Sequence, residues 1–371
     1  MKYIYQNKDW PNFYWNTKEI LELLGQLKRA QGFLLGQMKN LGFEIQNQAL
    51  LQILTENVIK SSEIEGEIFD KEQVRSSVAR RLLIKSAISE PISNRHIDGA
   101  VEILADATQN YKELLTHKRL FGWHAALFPT GYSGMYKIEV GKYRTDTHGP
   151  MQVISGYVGA EEIHYEAPKS AVLHSEMDKF LNYVNEQNDD DNFIKAAVSH
   201  LWFLALHPFE DGNGRIARAL TEIFLSRSDD CGFRFYSMCA QIMKNRREYY
   251  DILESTPKGT LDITAWISWF LTNLRQAIEN SDIILKKVIG IALFWAQHRS
   301  VNFNDRQRKM LQMILEDFQG NLTTTKWAKI CKCSQDTATR DIHELLENNI
   351  LEKEGKAKNT HYILRNIRLS Q

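Results

Sequence analysis

One stretch of the sequence combines residue types at a spacing that could do chemistry: His207-Pro208-Phe209-Glu210-Asp211-Gly212-Asn213-Gly214-Arg215-Ile216-Ala217-Arg218. From Ile216 onward apolar residues recur at Ala219, Leu220, Ile223 and Phe224, which marks one buried helical face. Arg215, Arg218 and Glu222 fall on the opposite face. That helix must begin inside the stretch, so Gly212, Asn213 and Gly214 stand where its first free backbone N–H groups point outward. A helix N-terminus with glycines, which let a ligand approach the backbone closely, is an anion site. Two arginines one turn apart extend such a site to a polyphosphate, because guanidinium pairs well with phosphate oxygens. Asp211 beside them makes sense as a Mg²⁺ ligand shared with phosphates. His207 adds a base whose ordinary pKa is about 6.5. A base, a metal ligand, an anion cradle and charge neutralisation are the parts that phosphoryl-type transfer needs.

A histidine before proline is by itself an ordinary turn residue, and Gly-Asn-Gly is a common turn. The signal lies in the whole constellation. It resembles the signature of the Fic family, His-Pro-Phe-x-Asp-Gly-Asn-Gly-Arg-x-x-Arg, with every motif position filled. By that resemblance His207 is the general base that deprotonates a target hydroxyl, and Phe209 anchors the loop in the core. Asp211 binds Mg²⁺ with the α- and β-phosphates of ATP. Asn213 and the Gly212–Gly214 amides hold phosphates, while Arg215 and Arg218 reach the β- and γ-phosphates. The implied fold is all-α with a small β-hairpin flap that aligns the target segment by strand addition. Val153, Ile154, Ser155 and Gly156 are the flap candidates, within a stretch of glycines and short apolar runs from Glu139 to Pro168 that reads as a hairpin. Arg247-Glu248-Tyr249-Tyr250 resembles the element bordering the adenine. Adjacent tyrosines on a helix point different ways, so at most one of Tyr249 and Tyr250 touches the base and the other belongs to the core.

Upstream, Ser61-Ser62-Glu63-Ile64-Glu65-Gly66 ends an expected helix. Ser61 and Glu65 share a face, and Gly66 suits the C-cap. A glutamate in a last helical turn is poorly placed against the helix dipole unless it finds a cation. Read from the residues alone, it is a solvent-exposed side chain. The segment resembles the family's inhibitory pattern, Ser/Thr-x-x-x-Glu-Gly/Asn, which implies that Glu65 pairs with Arg218 and obstructs the γ-phosphate position.

The elements that must position these residues are mostly helical. Leu21, Leu24, Leu27, Leu34, Leu35 and Met38 recur at helical spacing, as do Leu50, Leu51, Leu54, Val58 and Ile59. Trp10, Phe13, Tyr14 and Trp15 read as a satellite core anchoring the terminus. Ser93 or Asn94 can cap a helix from 95 to 116. Helices are expected at 169–187, 192–206, from the motif to 228, at 240–255, at 260–280 and, as a connector, at 281–298. Asp189, Asp190 and Asp191 read as a solvated turn rather than a metal site. The implied domains are a helical extension at 1–110 carrying the inhibitory segment 61–66, a Fic core at 111–280, the connector at 281–300 and a terminal module at 301–371.

In that module, helices over 324–331 and 334–347 precede a hairpin. It resembles a winged helix-turn-helix. Asp336, Asp341, Glu344 and Glu347 against Arg340 make the would-be recognition helix a poor phosphate surface, although Lys353, Lys356 and Lys358 put positive charge on the wing. Protein contact or homodimer support is favoured over specific DNA binding.

Composition sets the outer bounds. The 371 residues exceed one ordinary core. Lys plus Arg equal Asp plus Glu at 46 each, so no global charge draws the chain to nucleic acid or membrane. The N-terminus has no continuous apolar core of a signal peptide, and no run of about 18 apolar residues suggests a membrane span. The four cysteines, Cys231, Cys239, Cys331 and Cys333, form no C-x-x-C pair and read as reduced thiols. The expectation is a cytoplasmic, ATP- and Mg²⁺-dependent protein adenylyltransferase acting on Ser, Thr or Tyr of a target protein or of itself, and autoinhibited by Glu65. The alternatives are a winged-helix transcription regulator with a nucleotide-sensing core, or an enzyme that removes AMP or uses another nucleotide. Gly214 argues against phosphate transfer, for which relatives carry lysine there.

Overall fold

Helical periodicity accounts for most of the chain. The computed structural model describes residues 3–39, 42–84, 94–147, 149–157, 160–186, 190–232, 234–318, 320–355 and 360–365. Ser93, Asp189, Lys356 and Lys358 lie outside the described residues. The chain forms two compact units, Met1–Asp282 and Ile283–Gln371. In the first, α1 (Thr17–Lys39), α2 (Phe43–Ile64), α3 (Lys71–Arg81), α4 (Arg95–Gln109) and α5 (His117–Leu127) lead to two hairpins. These are β1 (Tyr132–Ser133) with β2 (Tyr136–Lys137), and β3 (Gln152–Tyr157) with β4 (Ala160–Glu166). Then follow α6 (Ser170–Asn185), α7 (Asn192–Leu206), α8 (Asn213–Asp229), α9 (Met238–Lys244), α10 (Arg246–Ser255) and α11 (Thr264–Gln297), whose residues from Ile283 belong to the second unit. No helix among the described residues is long and apolar enough to cross a membrane.

Two helices set the geometry of the site. Nearly every residue of α7 is buried, so it is a central rod rather than an amphipathic surface helix. It packs along α8, and the loop between them carries the chemical motif. A second cluster, Leu50, Leu51, Leu54, Val58, Val74, Val78, Ile97, Val101 and Leu104, joins α2, α3 and α4 and presents the end of α2 to α8. Trp10 and Phe13 pack edge-on against Trp202 of α7, which makes them a satellite core for the terminus.

Four expected helices differ in extent. The helix expected over 95–116 stops at Gln109, because the Arg119 guanidinium takes the carbonyls of Asp106, Asn110 and Glu113. Asn94 caps its start, accepting from the His96 N–H. The expected 240–255 helix breaks at Asn245, which leaves helical geometry. The expected 260–280 helix and the 281–298 connector are one helix, α11, which no proline interrupts.

The flap hairpin is antiparallel, running from Gln152↔Glu166 to Tyr157↔Ala160 with a register shift between Val153 and Ile154. Its base is fixed to the core by the Tyr165 hydroxyl, which donates to the Ala205 carbonyl of α7 at 2.7 Å.

The second unit holds α12 (Asp305–Asp317), α13 (Thr324–Cys331), α14 (Gln335–Glu347) and the hairpin β5 (Leu351–Glu354) with β6 (His361–Leu364). Met310, Leu311, Leu315, Trp327, Ile342 and Leu345 form its core, with Cys331 and Cys333 packed against it. One of the four acids counted on α14 faces inward. The Asp341 carboxylate accepts from Arg306 Nε at 2.7 Å, Arg306 Nη2 at 2.8 Å and Asn304 Nδ2 at 2.9 Å, so it serves packing and leaves Asp336, Glu344 and Glu347 outward with Arg340.

Candidate active site

The motif loop begins and ends in left-handed backbone, with φ of +47° at His207 and +78° at Gly212. At Gly212 a Cβ would stand 2.9 Å from the Phe128 ring, so both conformation and space require glycine. Phe209 is fully buried between the His124 ring, stacked at 4.3 Å, and Tyr143. The Asn213 side chain braces the loop. Its Oδ1 accepts from the Phe209 N–H at 3.0 Å and its Nδ2 donates to the Phe209 carbonyl at 2.8 Å. The side-chain amide is thus engaged with the loop's own backbone. Gly212 precedes α8 with no side chain to cap it, which leaves the first-turn N–H groups available to an anion.

Arg144, which nothing in Gly-Lys-Tyr-Arg-Thr marks out as a site residue, is the main support of His207. It is buried and donates from Nε to the His207 carbonyl at 2.7 Å and from Nη2 to the Pro168 carbonyl at 2.5 Å, while its own N–H donates to the Pro208 carbonyl at 2.9 Å. It therefore ties the motif loop to the segment that follows the flap. The His207 ring is held below its ordinary pKa, at about 4, by burial first and by the Arg144 charge second. A hydrogen bond to the Leu204 backbone favours its charged form, but less. His207 is neutral at neutral pH, the state in which a ring nitrogen can accept a proton.

Asp211 sits at the mouth of the loop. One of its oxygens accepts from the Ser133 hydroxyl of β1, and the other accepts from the Gly212 N–H at 2.5 Å. A carboxylate with an adjacent hydroxyl is a hard-oxygen donor set of the kind that suits Mg²⁺.

The end of α2 fills the cradle. Glu65, with left-handed Gly66 after it, stands as the residue that terminates α2 rather than within its last turn. Arg218 Nη2 donates to Glu65 Oε1 at 2.8 Å and to the Ser61 carbonyl at 2.8 Å, and Nε donates to Ser61 Oγ at 2.9 Å. A Cβ on Gly214 would lie 2.1 Å from Glu65 Oε1, so the carboxylate rests directly against the first turn of α8. Two residues on, Glu67 takes Arg215: Nη1 donates to both Glu67 oxygens, at 3.0 and 2.9 Å. Both motif arginines are thereby held by one acidic turn. Arg215 Nε is buried with no hydrogen-bond partner, a donor still to be satisfied. The face of α8 opposite the apolar one is buried too. Arg218 meets the end of α2, Arg215 meets Glu67 in the turn after it, and Glu222 pairs with Arg234.

The two tyrosines divide as adjacent helical residues must. Tyr249 is 1% exposed, and its hydroxyl meets His200 Nε2 at 2.8 Å and hydrogen-bonds the Arg218 side chain, so it packs in the core beneath that arginine. Tyr250 faces the site and donates to the Ile64 carbonyl at 3.0 Å, joined there by Arg246. On the flap, Val153 and Ile154 are exposed, and β3 has β4 as its one strand partner among the described residues. Ser155 and Gly156 lie in β3, in register with Glu162 and Glu161.

Residues 114–225 match the model of the Fic/DOC family, over the same segment that carries the loop, α7 and α8. That segment is similar to the Fic/DOC family. Residues 3–84 match a domain of unknown function, DUF4172, which spans α1, α2, the Glu65–Glu67 turn and α3. Over 209 residues the chain is 25% identical to "Protein adenylyltransferase Fic" of Culex quinquefasciatus, covering 56% of this chain and 37% of that protein. It is 24% identical over 242 residues to the protein of the same name from Nematostella vectensis, covering 62% and 49%. The matched stretch thus spans at most about half of these curated relatives. A solved structure, a Fic family protein from Desulfovibrio desulfuricans G20, aligns over 95% of this chain and 98% of its own at 17% identity with a TM-score of 0.54, which shows the fold. The mostly helical architecture with small antiparallel hairpins is therefore the Fic fold, and the Fic homology supports the nucleotidyltransferase class of enzyme.

Proposed function

We propose that this chain is a Fic-family protein adenylyltransferase that moves AMP from ATP to a hydroxyl side chain of a protein, itself included, and that Glu65 holds it in a low-activity state. The observation that carries this reading is the Glu65 carboxylate: it lies on Arg218 and against Gly214, where the first turn of α8 invites an anion. A carboxylate in an anion site is a mimic of the group the site is built for.

In the proposed reaction the target hydroxyl oxygen forms a bond to the α-phosphorus, the bond from that phosphorus to the bridging oxygen breaks, and pyrophosphate leaves. His207, neutral at physiological pH, takes the hydroxyl proton on its free ring nitrogen. The α8 N–H groups, Arg215 and Arg218 stabilise the phosphate charge once the glutamates release them. Asp211 and Ser133 would hold Mg²⁺, which when bound supplies further neutralisation of that charge. The exposed outer edge of β3 aligns the target segment by strand addition. The side chains of Arg144 and Asn213 keep the loop in register.

The direct test is intact-mass spectrometry of the protein after incubation with ATP and Mg²⁺, with Glu65→Gly beside the native chain. A gain of one AMP group on the variant supports the reading. Hydrolysis of ATP with no protein-bound AMP on any offered protein sinks it. In the second unit, the winged-helix-like order of α12 to β6 with three outward acids on α14 favours a protein-contacting module over a DNA reader.

A further inference from the structure

Away from the ATP-directed residues, three side chains with metal-ligand chemistry converge where the start of α5 meets α6. His117 is the first residue of α5, and His174 and Asp178 are one turn apart on α6, hence on one face. His117 Nε2 lies 2.8 Å from Asp178 Oδ1, and His174 Nδ1 lies 3.4 Å from Asp178 Oδ2. The two imidazoles stack at 4.6 Å, and one ligand atom from each of the three residues lies within 4.8 Å of the others. His117 Nδ1 lies 2.7 Å from the Tyr143 hydroxyl.

We propose that His117, His174 and Asp178 form a transition-metal site of the zinc class that ties α5 to α6 behind the motif loop. Two imidazoles and a carboxylate suit Zn²⁺, and this set disfavours Mg²⁺ and Ca²⁺, which take oxygen ligands. At metal–ligand distances of about 2.0–2.2 Å, tetrahedral ligands stand roughly 3.4 Å apart, within the span these three already cover. His174 is largely exposed and free to turn, so the site closes by rotation of one side chain. Three protein ligands leave the fourth position to water.

The surroundings of His117 are those of a metal ligand. For Nε2 to bind metal, Nδ1 must carry the proton and donate it to an outer acceptor, and the Tyr143 oxygen is in place for that. The Tyr143 ring in turn packs on Phe121 at 4.8 Å and on Phe209 at 5.5 Å. Occupancy would thus stiffen the support under Phe209, two residues from His207. The competing explanation is a surface His–Asp–His hydrogen-bonded trio with no metal affinity.

The experiment uses the full chain, stripped with chelator and dialysed, and titrated with Co²⁺ as a spectroscopic probe. The expected result is a visible band of tetrahedral character that saturates at one equivalent and is displaced by Zn²⁺. His174→Ala and Asp178→Asn should abolish it. His174 is exposed, so that variant keeps the fold, which circular dichroism checks. Tyr143→Phe should weaken Co²⁺ binding by about 10-fold or more through loss of the outer hydrogen bond. Asp211→Asn should leave the band unchanged, which separates this site from the phosphate-side carboxylate. No saturable Co²⁺ or Zn²⁺ binding to the native chain, or binding that survives both His174→Ala and Asp178→Asn, overturns the proposal.

Discussion

Replacing Glu65 with glycine should accelerate AMP transfer, and the structure bounds by how much. The Glu65–Arg218 contact is a charge-assisted hydrogen bond at 2.8 Å between a buried guanidinium and a carboxylate whose side chain is 32% exposed. Bonds of that kind contribute roughly 1.5–3 kcal/mol net, which corresponds to about 10- to 150-fold in the population of the released state. Arg218 does not lose its place when Glu65 goes, because the Ser61 carbonyl and hydroxyl still hold it. The expected outcome is therefore a gain in rate rather than a collapse of the site. The assay is the initial rate of self-modification with ATP and Mg²⁺, followed by intact mass, with ATP affinity measured separately by calorimetry. Glu65→Gln should fall between the native chain and Glu65→Gly, since it keeps the shape and loses the charge. Arg218→Ala should be inactive with or without the Glu65 change, so the double variant shows no gain and the cycle reports the coupling. If Glu65→Gly binds ATP as the native chain does and is no faster on any hydroxyl substrate, the carboxylate is only a helix-end group and the reasoning fails.

Glu67→Gln, which frees Arg215 from its forked carboxylate, should give a smaller gain of its own and add to Glu65→Gly in the same assay. His207→Ala should lower transfer by about 10²–10⁴-fold while ATP affinity stays near native, and equal loss of both would remove it from the role of base. Stability should fall in acid because the His124, His200 and His207 rings are held at about 4, about 3 and about 4, by burial first. Below their unfolded pKa of about 6.5 the unfolded chain takes up protons that the folded chain refuses, so stability drops as pH falls, by on the order of 3–4 kcal/mol per pH unit between about pH 5.5 and 4.5. Urea unfolding across that range measures it, and His200→Gln should remove roughly a third of the slope. Asp341→Ala should destabilise the second unit, because Arg306, Asn304 and the Trp327 N–H lose the acceptor they share, and an unchanged urea midpoint for that unit contradicts the assignment.

Local features were legible in the chain because they depend on local physics. The turn chemistry of Gly212 and Gly214, the apolar periodicity of α8 and the largely apolar composition of α7 are written in consecutive residues, and α7 spans the expected 192–206. The α13 and α14 boundaries follow from the side chains of Thr323 and Ser334, each of which caps its helix. The split at Asn245 and the early end of α4 were not legible. The second depends on Arg119, a residue beyond the helix that supplies its terminal acceptors with a donor.

Which buried polar group meets which was decided by the tertiary structure. Glu67 lies 148 residues from Arg215 and Arg144 lies 63 from His207, and nothing in either neighbourhood announces the pairing. Asn213 occupies a motif position beside the phosphate cradle, yet its amide is turned onto Phe209 because a buried loop must satisfy its own peptide groups. Tyr249 and Tyr250 are equivalent as residue types. Only the packing of α10 against His200 on one side and the end of α2 on the other sends one into the core and one to the site. The sequence by itself determined the types and spacing of the groups that could bind a nucleotide, since a helix N-terminus and its periodicity are local properties. The fold decided which of them remain free to do so, since a buried charge or amide takes its partner from wherever packing brings one.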